Sequence, residues 1–214
     1  SDVYKRQPDN HHDMVRFEIM KQFGYFVTES SEHSSEYYPW FIKKDHPELI
    51  DRFHIPLDEY PRRCRDQIAR WKQQAEHLVH NENLTHTRSS EYAAGIIEAL
   101  ETGRTFGFAG NVLNTGLIDN LPFDACVEVS CMVNEGHLSP CHMGPLPNQL
   151  AALNRRQIEV HQLTVDAALT RKKEYIYQAA MLDPHAGSEL TIDEIRSLVD
   201  DLIQAHGDWL PEYH

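Results

Sequence analysis

The chain has 214 residues and a mass of 24.8 kDa, which is enough for one well-packed domain. Its 33 Asp and Glu against 20 Lys and Arg give a formal net charge of −13, which argues against nucleic acid or an anionic membrane surface as a partner. No apolar stretch approaches the ~18–20 residues that a membrane-spanning helix needs. We therefore expect neither a membrane nor a nucleic-acid partner.

The cysteines have no scaffold spacing, and a domain of this size needs no disulfide bonds. This pattern predicts reduced thiols and a cytoplasmic protein. The four residues are Cys64, Cys126, Cys131 and Cys141.

The first residues have no apolar periodicity, and the chain does not begin with Met. We expect residues 1–9 to be a non-native or disordered lead, and residues 10–214 to be a single domain of a longer protein. From Asn10 to Gln22 apolar residues recur at helical spacing, and Gly24 suits the left-handed C-terminus of that helix.

The segment from Phe23 to Phe41 concentrates aromatic, acidic, hydroxyl and imidazole side chains. A helix that begins near Thr28 or Ser30 and ends near Lys44 would place several of them on one face. These are Glu29, His33, Glu36, Tyr37 and Trp40. Acid, base and aromatic groups together suit a small polar ligand such as a sugar. The alternative is a half-buried amphipathic helix with a satisfied histidine, and composition alone does not separate the two.

Beyond Pro56 the periodicity predicts helices, then strands, then helices again. The helices are expected at 58–80 with Asp58 as cap, 90–101, 147–169, 175–181 and 191–205, the last opened by the capping box Thr191–Glu194. The apolar face of the helix at 58–80 is Tyr60, Cys64, Ile68, Trp71, Ala75 and Leu78. The strands are expected at 105–112, 125–133 and 138–143. The predicted fold class is α+β, mainly helical with a small antiparallel sheet.

Asparagines cluster in a predicted loop that also holds Gly116 and Pro122. They are Asn111, Asn114 and Asn120. A carboxamide both donates and accepts hydrogen bonds, which suits sugar hydroxyls. Asparagine is also a common turn residue, and the residues alone leave both interpretations open.

Two other clusters contain residue types that occur in cofactor sites. The glycines Gly103, Gly107 and Gly110 match neither the dinucleotide fingerprint nor a P-loop, so we interpret them as turn and strand glycines. The thiol–imidazole group is Cys131, His137, Cys141 and His142. Its two cysteines lie too far apart for the usual C-x₂₋₄-C zinc spacing, so we predict no metal site in this chain.

Several long segments carry a family resemblance. They are 16–41 (RFEIMKQFGYFVTESSEHSSEYYPWF), 110–122 (GNVLNTGLIDNLP), 144–147 (GPLP), 179–184 (AAMLDP) and 203–211 (IQAHGDWLP). They closely resemble glycoside hydrolase family 4, in its alpha-galactosidase branch, and the resemblance runs from about Asn10 to the C-terminus.

The resemblance implies an enzyme that hydrolyses O-glycosides by oxidation at C3 and elimination at C2 of the sugar, with NAD and a divalent metal, usually manganese. Family members begin with a Rossmann domain, which this sequence lacks. The chain is similar to their C-terminal substrate-binding domain, which resembles the C-terminal domain of the lactate dehydrogenase superfamily. We therefore expect the groups that bind NAD and Mn²⁺ to lie mostly outside this chain, and the chain alone to be inactive. The resemblance also implies a homo-oligomer, dimer or tetramer.

The resemblance places the reacting sugar near residues 31–37. It implies Tyr37 as the base or its partner, with His33 and Glu32 orienting the substrate. The substrate-binding residues are predicted to be Glu29, Ser31, Glu36, Asn111, Asn114 and Asn120. Two alternatives stay open: a non-catalytic sugar-binding or interaction module, and a classical hydrolase that uses Glu29, Glu32 or Glu36 with another acid. The sequence does not distinguish a galactoside from a glucoside or glucuronide.

Overall fold

The computed structural model describes residues 11–81, 83, 85 and 87–214, so the predicted lead at 1–9 lies outside the described residues. The fold is α+β and mainly helical, as predicted, with one three-stranded antiparallel sheet. The helices are α1 Met14–Phe23, α2 Ser31–Tyr37, α3 Glu48–Phe53, α4 Glu59–His80, α5 Tyr92–Thr102, α6 Asn148–Thr170, α7 Lys173–Leu182, α8 Ala186–Glu189 and α9 Ile192–His206. A 3₁₀ turn, Gly207–Trp209, follows α9.

The sheet has the order β1-β2-β3, with β1 Phe106–Leu113, β2 Cys126–Asn134 and β3 His137–Pro140. Buried and exposed residues alternate along β2, because successive side chains of a strand point to opposite faces. Val127, Val129 and Cys131 form the buried face of β2. These residues form one apolar core with Ile118, Ala125 and Ile158.

A second apolar core holds the N-terminal helices together. It contains Val15, Ile19, Phe41, Phe53 and Ile55. Gly24 ends α1 with a positive φ of 82°, and its N–H donates to the carbonyl of Met20, as the sequence predicts. The predicted capping box at the start of α9 is also present, since Thr191 and Glu194 bond each other's backbone N–H.

Two predictions about helix ends were wrong. The aromatic helix ends at Tyr37 rather than near Lys44, and Tyr38 is extended, with φ −107° and ψ 142°. Tyr38 precedes Pro39, whose ring disfavours the helical conformation at the residue before it, so Trp40 leaves the helical face. Asp58 does not cap α4, because its φ is 54° and its side chain makes no capping hydrogen bond.

Candidate functional site

A cavity of about 550 Å³ lies between two walls. One wall is α2 with the segment before it, and the other is α6 with the residues that lead into it. One wall consists of Ile19, Tyr25, Phe26, Val27, Thr28, Glu29, Ser34, Tyr37 and Tyr38. The other consists of Leu146, Leu150, Leu153, Asn154, Gln157 and His161. An apolar cavity with a few converging polar groups is the usual form of a small-molecule site.

The first wall is positioned by α1 and by the cap of α2. Ser30 caps α2, since its hydroxyl accepts a hydrogen bond of 3.2 Å from the N–H of His33. Arg16 on α1 donates from its side chain to the carbonyl oxygen of Val27. The mouth segment, residues 25–29, is therefore held at its centre by Arg16 and leads directly into the capped start of α2.

The second wall is positioned by the loop between β1 and β2, through Asn120. Asn120 donates to the carbonyl oxygen of Leu146 at 2.8 Å and accepts from its N–H at 2.9 Å. Pro147 then leads directly into α6. Gln157 on α6 donates to the carbonyl oxygen of Tyr37 at 3.1 Å, which ties the two walls together.

The imidazole of His33 is favoured in its charged form. Its Nδ1 lies 3.1 Å from the Glu36 carboxylate, and this hydrogen bond is the main cause that raises the pKa of His33. The negative charges of Glu29 and Glu32 raise the pKa further. The His33 ring also stacks against Tyr37, with 6.3 Å between ring centroids.

The pKa values of Tyr37 and Glu32 are raised above their ordinary values. Burial is the main cause that raises the pKa of Tyr37, and the carboxylates Glu29 and Glu36 add to it. Burial also raises the pKa of Glu32, followed by the charge of Glu59 and a hydrogen bond with it. A phenol with a raised pKa needs a cation nearby before it can act as a base at neutral pH.

The predicted site residues divide into three groups. Glu29 and Tyr37 line the cavity. His33, Glu32 and Glu36 lie on α2 outside the cavity lining, where His33 contacts Glu36 and the ring of Tyr37. The others are engaged in the fold or lie away from the cavity.

Those remaining residues are Ser31 and the three asparagines. Ser31 is buried, and its hydroxyl accepts from the backbone N–H of Arg16 at 3.3 Å. Asn114 is fully buried, with both ends of its carboxamide bonded to the loop backbone. Asn120 supports the cavity wall through Leu146, and Asn111 is exposed on β1 opposite Glu128. None of the three asparagines lines the cavity.

Several cavity residues were missing from the sequence prediction. Tyr25, Thr28 and Tyr38 lie beside residues that were predicted. Asn154, Gln157 and His161 come from α6, far along the chain. Their i, i+3, i+7 spacing puts three polar side chains on one helical face, and this was the available signal.

The thiol–imidazole cluster does not form a metal centre within the part of the chain that the structure describes. No group of three or more His, Cys, Asp or Glu side chains there could hold a metal ion. Cys131 is buried and donates to the carbonyl of Val129, while Nε2 of His142 lies 2.8 Å from the carboxylate of Asp119. Among the described helices, none combines the length and apolar character needed to cross a bilayer.

Residues 2–186 match the sequence model of the family 4 glycosyl hydrolase C-terminal domain. The chain is 59% identical to an alpha-galactosidase of Bacillus subtilis (strain 168), over 98% of this chain and 48% of that protein. It is 32% identical to an alpha-galactosidase of Rhizobium meliloti (strain 1021), over 94% of this chain and 43% of the relative. The chain thus spans about half the length of these curated relatives.

The fold is also similar to solved structures. LplD of Bacillus subtilis matches with a TM-score of 0.78 and 21% identity, over 94% of this chain and 45% of LplD. A 6-phospho-alpha-glucosidase from gut microorganisms, solved with NAD and Mn²⁺, matches with a TM-score of 0.64 and 22% identity, over 93% of this chain and 44% of that one. These similarities establish the fold.

Proposed function

The chain belongs to the family 4 glycosyl hydrolases, as their C-terminal domain, and from this premise we propose that it is the substrate-binding half of an NAD- and Mn²⁺-dependent alpha-galactosidase. The proposed reaction of the complete enzyme is hydrolysis of an O-glycoside by oxidation at C3 and elimination at C2 of the sugar. The observation that carries the proposal is the cavity between α2 and α6, whose polar groups are those that bind an uncharged sugar.

The charge of the cavity favours a neutral hexoside over a phosphorylated or acidic sugar. Among the residues that line it, there is no Lys or Arg, while Glu29 supplies a carboxylate. A sugar phosphate or uronate would bring an anion, which needs cationic partners when it is buried. Amide, phenol and carboxylate groups instead pair with neutral hydroxyls. This agrees with the identity of 59% to an alpha-galactosidase.

The cofactors are proposed to bind mainly through groups beyond this chain. The described residues contain no cluster that could hold a metal ion, and the sequence has no dinucleotide fingerprint. When bound in the complete enzyme, NAD would carry the hydride and Mn²⁺ would polarise the sugar carbonyl. The residues of this chain would hold and orient the sugar, with the Tyr37 hydroxyl at the reacting end.

The roles proposed for α2 follow from its charges. A protonated His33, held by Glu36, places a positive charge next to the ring of Tyr37. Glu32 is proposed to orient α2 through its contact with Glu59. We also propose that the complete enzyme is a homo-oligomer, as the family resemblance implies. We propose a cytoplasmic location, which agrees with the four free cysteines.

A chimaeric enzyme tests the proposal. This chain replaces the corresponding half of the Bacillus subtilis alpha-galactosidase, and hydrolysis of p-nitrophenyl α-galactoside is measured with NAD⁺, Mn²⁺ and a reductant. We expect activity that requires both cofactors, and none from the 214-residue chain alone. The 6-phosphorylated and C6-oxidised analogues of this galactoside are measured for comparison, since each carries the negative charge that the neutral substrate lacks.

Other outcomes identify the alternatives. A folded chimaera that prefers either anionic analogue contradicts the neutral-sugar proposal. Cofactor-independent hydrolysis by the isolated chain would support a classical two-carboxylate hydrolase. Sugar binding without turnover in the folded chimaera would support a non-catalytic module.

A further inference from the structure

A second hollow, of about 390 Å³, lies on α6 beside the cavity. His161 lines both of them, so the two are neighbours. Gln157, which bonds the backbone of Tyr37, lies one turn before His161, and Val165 of the second hollow lies one turn after it. At a rise of about 1.5 Å per residue, each of these steps advances about 6 Å along α6. This distance is comparable with the length of one sugar unit in an oligosaccharide.

The second hollow offers hydrogen-bonding groups beside an apolar surface. Nε2 of Gln162 donates to the carboxylate of Asp124 at 3.0 Å. Within the part of the chain that the structure describes, no hydrogen bond or ion pair engages the side chains of His161 and Asp166. Val165 is 54% exposed at the same place. A hexose matches both features, since its hydroxyls bond amides and carboxylates while its C–H groups contact apolar side chains.

The two sides of the second hollow are fixed before any ligand binds. Ile158 on α6 and Ala125 in the loop between β1 and β2 belong to the same apolar core, and Asp124 directly precedes Ala125. Arg155 on α6 also donates to the carbonyl oxygen of Asn120 in that loop, at 3.1 Å from Nε and 2.7 Å from Nη2. A ligand therefore has little backbone to order, which favours binding.

Charge limits which leaving group fits the second hollow. Among the described residues that line it there is no Lys or Arg, while Asp124 and Asp166 supply two carboxylates. A phosphorylated or acidic leaving group would be repelled by them. An alkyl or aryl leaving group would make no hydrogen bonds with the polar side chains. A neutral sugar avoids the repulsion and makes the hydrogen bonds.

We propose that the second hollow binds the sugar that hydrolysis releases, and that this sugar is a neutral hexose. Asp124, Gln162 and Asp166 would bond its hydroxyls and determine specificity, while His161 lies at the junction of the two sugars. The inference rests on the proposed function, in which the galactose ring occupies the cavity with its reacting end at Tyr37. The preferred substrate is then a neutral galactosyl oligosaccharide and not a simple alkyl or aryl galactoside.

Binding to the chimaeric enzyme tests this site without turnover. Methyl α-galactoside and α-galactosyl-(1→6)-glucose are compared by titration calorimetry, with metal removed by a chelator. We expect the disaccharide to bind about tenfold more tightly, the contribution of about one or two net hydrogen bonds. Asp166→Ala and Gln162→Leu should each lose most of this advantage, with the loss confined to the disaccharide. Glu159→Ala is the matched control, at an exposed carboxylate of α6 outside both linings, and should keep the full advantage.

The outcomes separate this inference from the proposed function. Equal affinity for the two galactosides overturns the second-sugar site, and so do variants that weaken both ligands alike while circular dichroism shows an intact fold. If hydrolysis still requires NAD⁺ and Mn²⁺, the proposed function survives that result. A disaccharide advantage that Asp166→Ala removes, without cofactor-dependent hydrolysis, supports the site and contradicts the proposed function. Failure to bind either galactoside contradicts both.

Discussion

Arg16 donates two side-chain hydrogen bonds to the carbonyl oxygen of Val27, at 3.1 Å from Nε and 3.0 Å from Nη2. The guanidinium also lies over the ring of Phe26, at 4.1 Å from its centroid, and the backbone N–H of Arg16 donates to Ser31. One residue of α1 therefore holds both the mouth of the cavity and the start of α2. Lysine cannot reproduce this planar pair of donors.

Arg16→Lys is expected to misplace the mouth segment while it keeps the charge. In the chimaeric enzyme we expect the KM for the α-galactoside to rise several-fold, because Val27 and Thr28 line the cavity proposed to bind the sugar. The free energy of unfolding should fall by about 1.5–3 kcal/mol, the usual contribution of hydrogen bonds to a charged group. Lys21→Arg, on the same helix and exposed, is the control. An unchanged KM for Arg16→Lys would show that Arg16 does not influence substrate binding.

Asn114 is expected to be a folding residue of the loop and not a sugar ligand. Its Nδ2 donates to three carbonyl oxygens and its Oδ1 accepts from two N–H groups, all between 2.9 and 3.2 Å. Asn114→Asp removes the donor and sets a carboxylate against those carbonyls. We expect a loss of more than about 2 kcal/mol in the free energy of unfolding.

The matched control for Asn114 is Asn111→Asp. Asn111 is exposed on β1 opposite Glu128, so we expect only the repulsion of two like charges on paired strands, a loss below about 1 kcal/mol. Chemical denaturation of both variants measures the difference. Equal stabilities would mean that the loop finds other partners for its backbone groups.

The sequence predicts the secondary structure well because helices and strands depend on the local periodicity of apolar residues. The alternation along β2 and the capping box of α9 are set by residues a few positions apart. The cavity depends on contacts between distant segments, such as the hydrogen bond from Gln157 to Tyr37, which joins residues 120 positions apart. The helical spacing in this segment therefore predicted residues of one cavity wall only. The same spacing predicted that α2 continues past Tyr38, but Pro39 disfavours the helical conformation at Tyr38.

Glu189 links α8 to the N-terminal half of the chain. This contact should make the free energy of unfolding depend on pH. Its carboxylate accepts from Nζ of Lys43 and, at 2.9 Å, from the backbone N–H of Lys44. The hydrogen bond with Lys43 is the main cause that lowers the pKa of Glu189 to about 2. Since the folded pKa is below the unfolded value, the stabilisation is full above about pH 4.5 and is lost as the pH falls towards 2.

Thermal unfolding from pH 7 to pH 2 checks this link. We expect Glu189→Gln to lower the Tm at pH 7, and the difference from the unchanged chain to shrink as the pH falls. Glu101→Gln is the control, since Glu101 is an exposed glutamate of α5. A difference that stays constant down to pH 2 would contradict the assigned pKa direction.

Glu32 should show the opposite dependence on pH. Burial, the charge of Glu59 and a hydrogen bond with it raise the pKa of Glu32 above the usual value of 4.5. The folded state therefore holds this proton more tightly than the unfolded state. The stabilising effect is full below about pH 4.5 and is lost as the pH rises through the folded pKa.

Glu32→Gln is expected to remove the charge of the side chain with almost no change in its volume. The variant should thus be more stable than the unchanged chain at pH 7, with little difference at pH 4. Thermal unfolding at the two pH values measures this. The double variant with Glu59→Gln should show no further gain at pH 7, because the repulsion is already gone. A full additional gain would mean that the two carboxylates do not interact.

Tyr37 is the residue by which the proposed chemistry of this half can be tested. Burial raises its pKa, so the phenol is protonated at neutral pH unless a cation assists. In the chimaeric enzyme, Tyr37→Phe should abolish exchange of the C2 proton with deuterated water and lower kcat far more than it raises KM. Tyr38→Phe is the matched control, since Tyr38 lines the same cavity and its pKa is also raised by burial. Undiminished C2 exchange in Tyr37→Phe would remove Tyr37 from the role of base, whereas equal losses in both variants would indicate a general packing effect of the two rings.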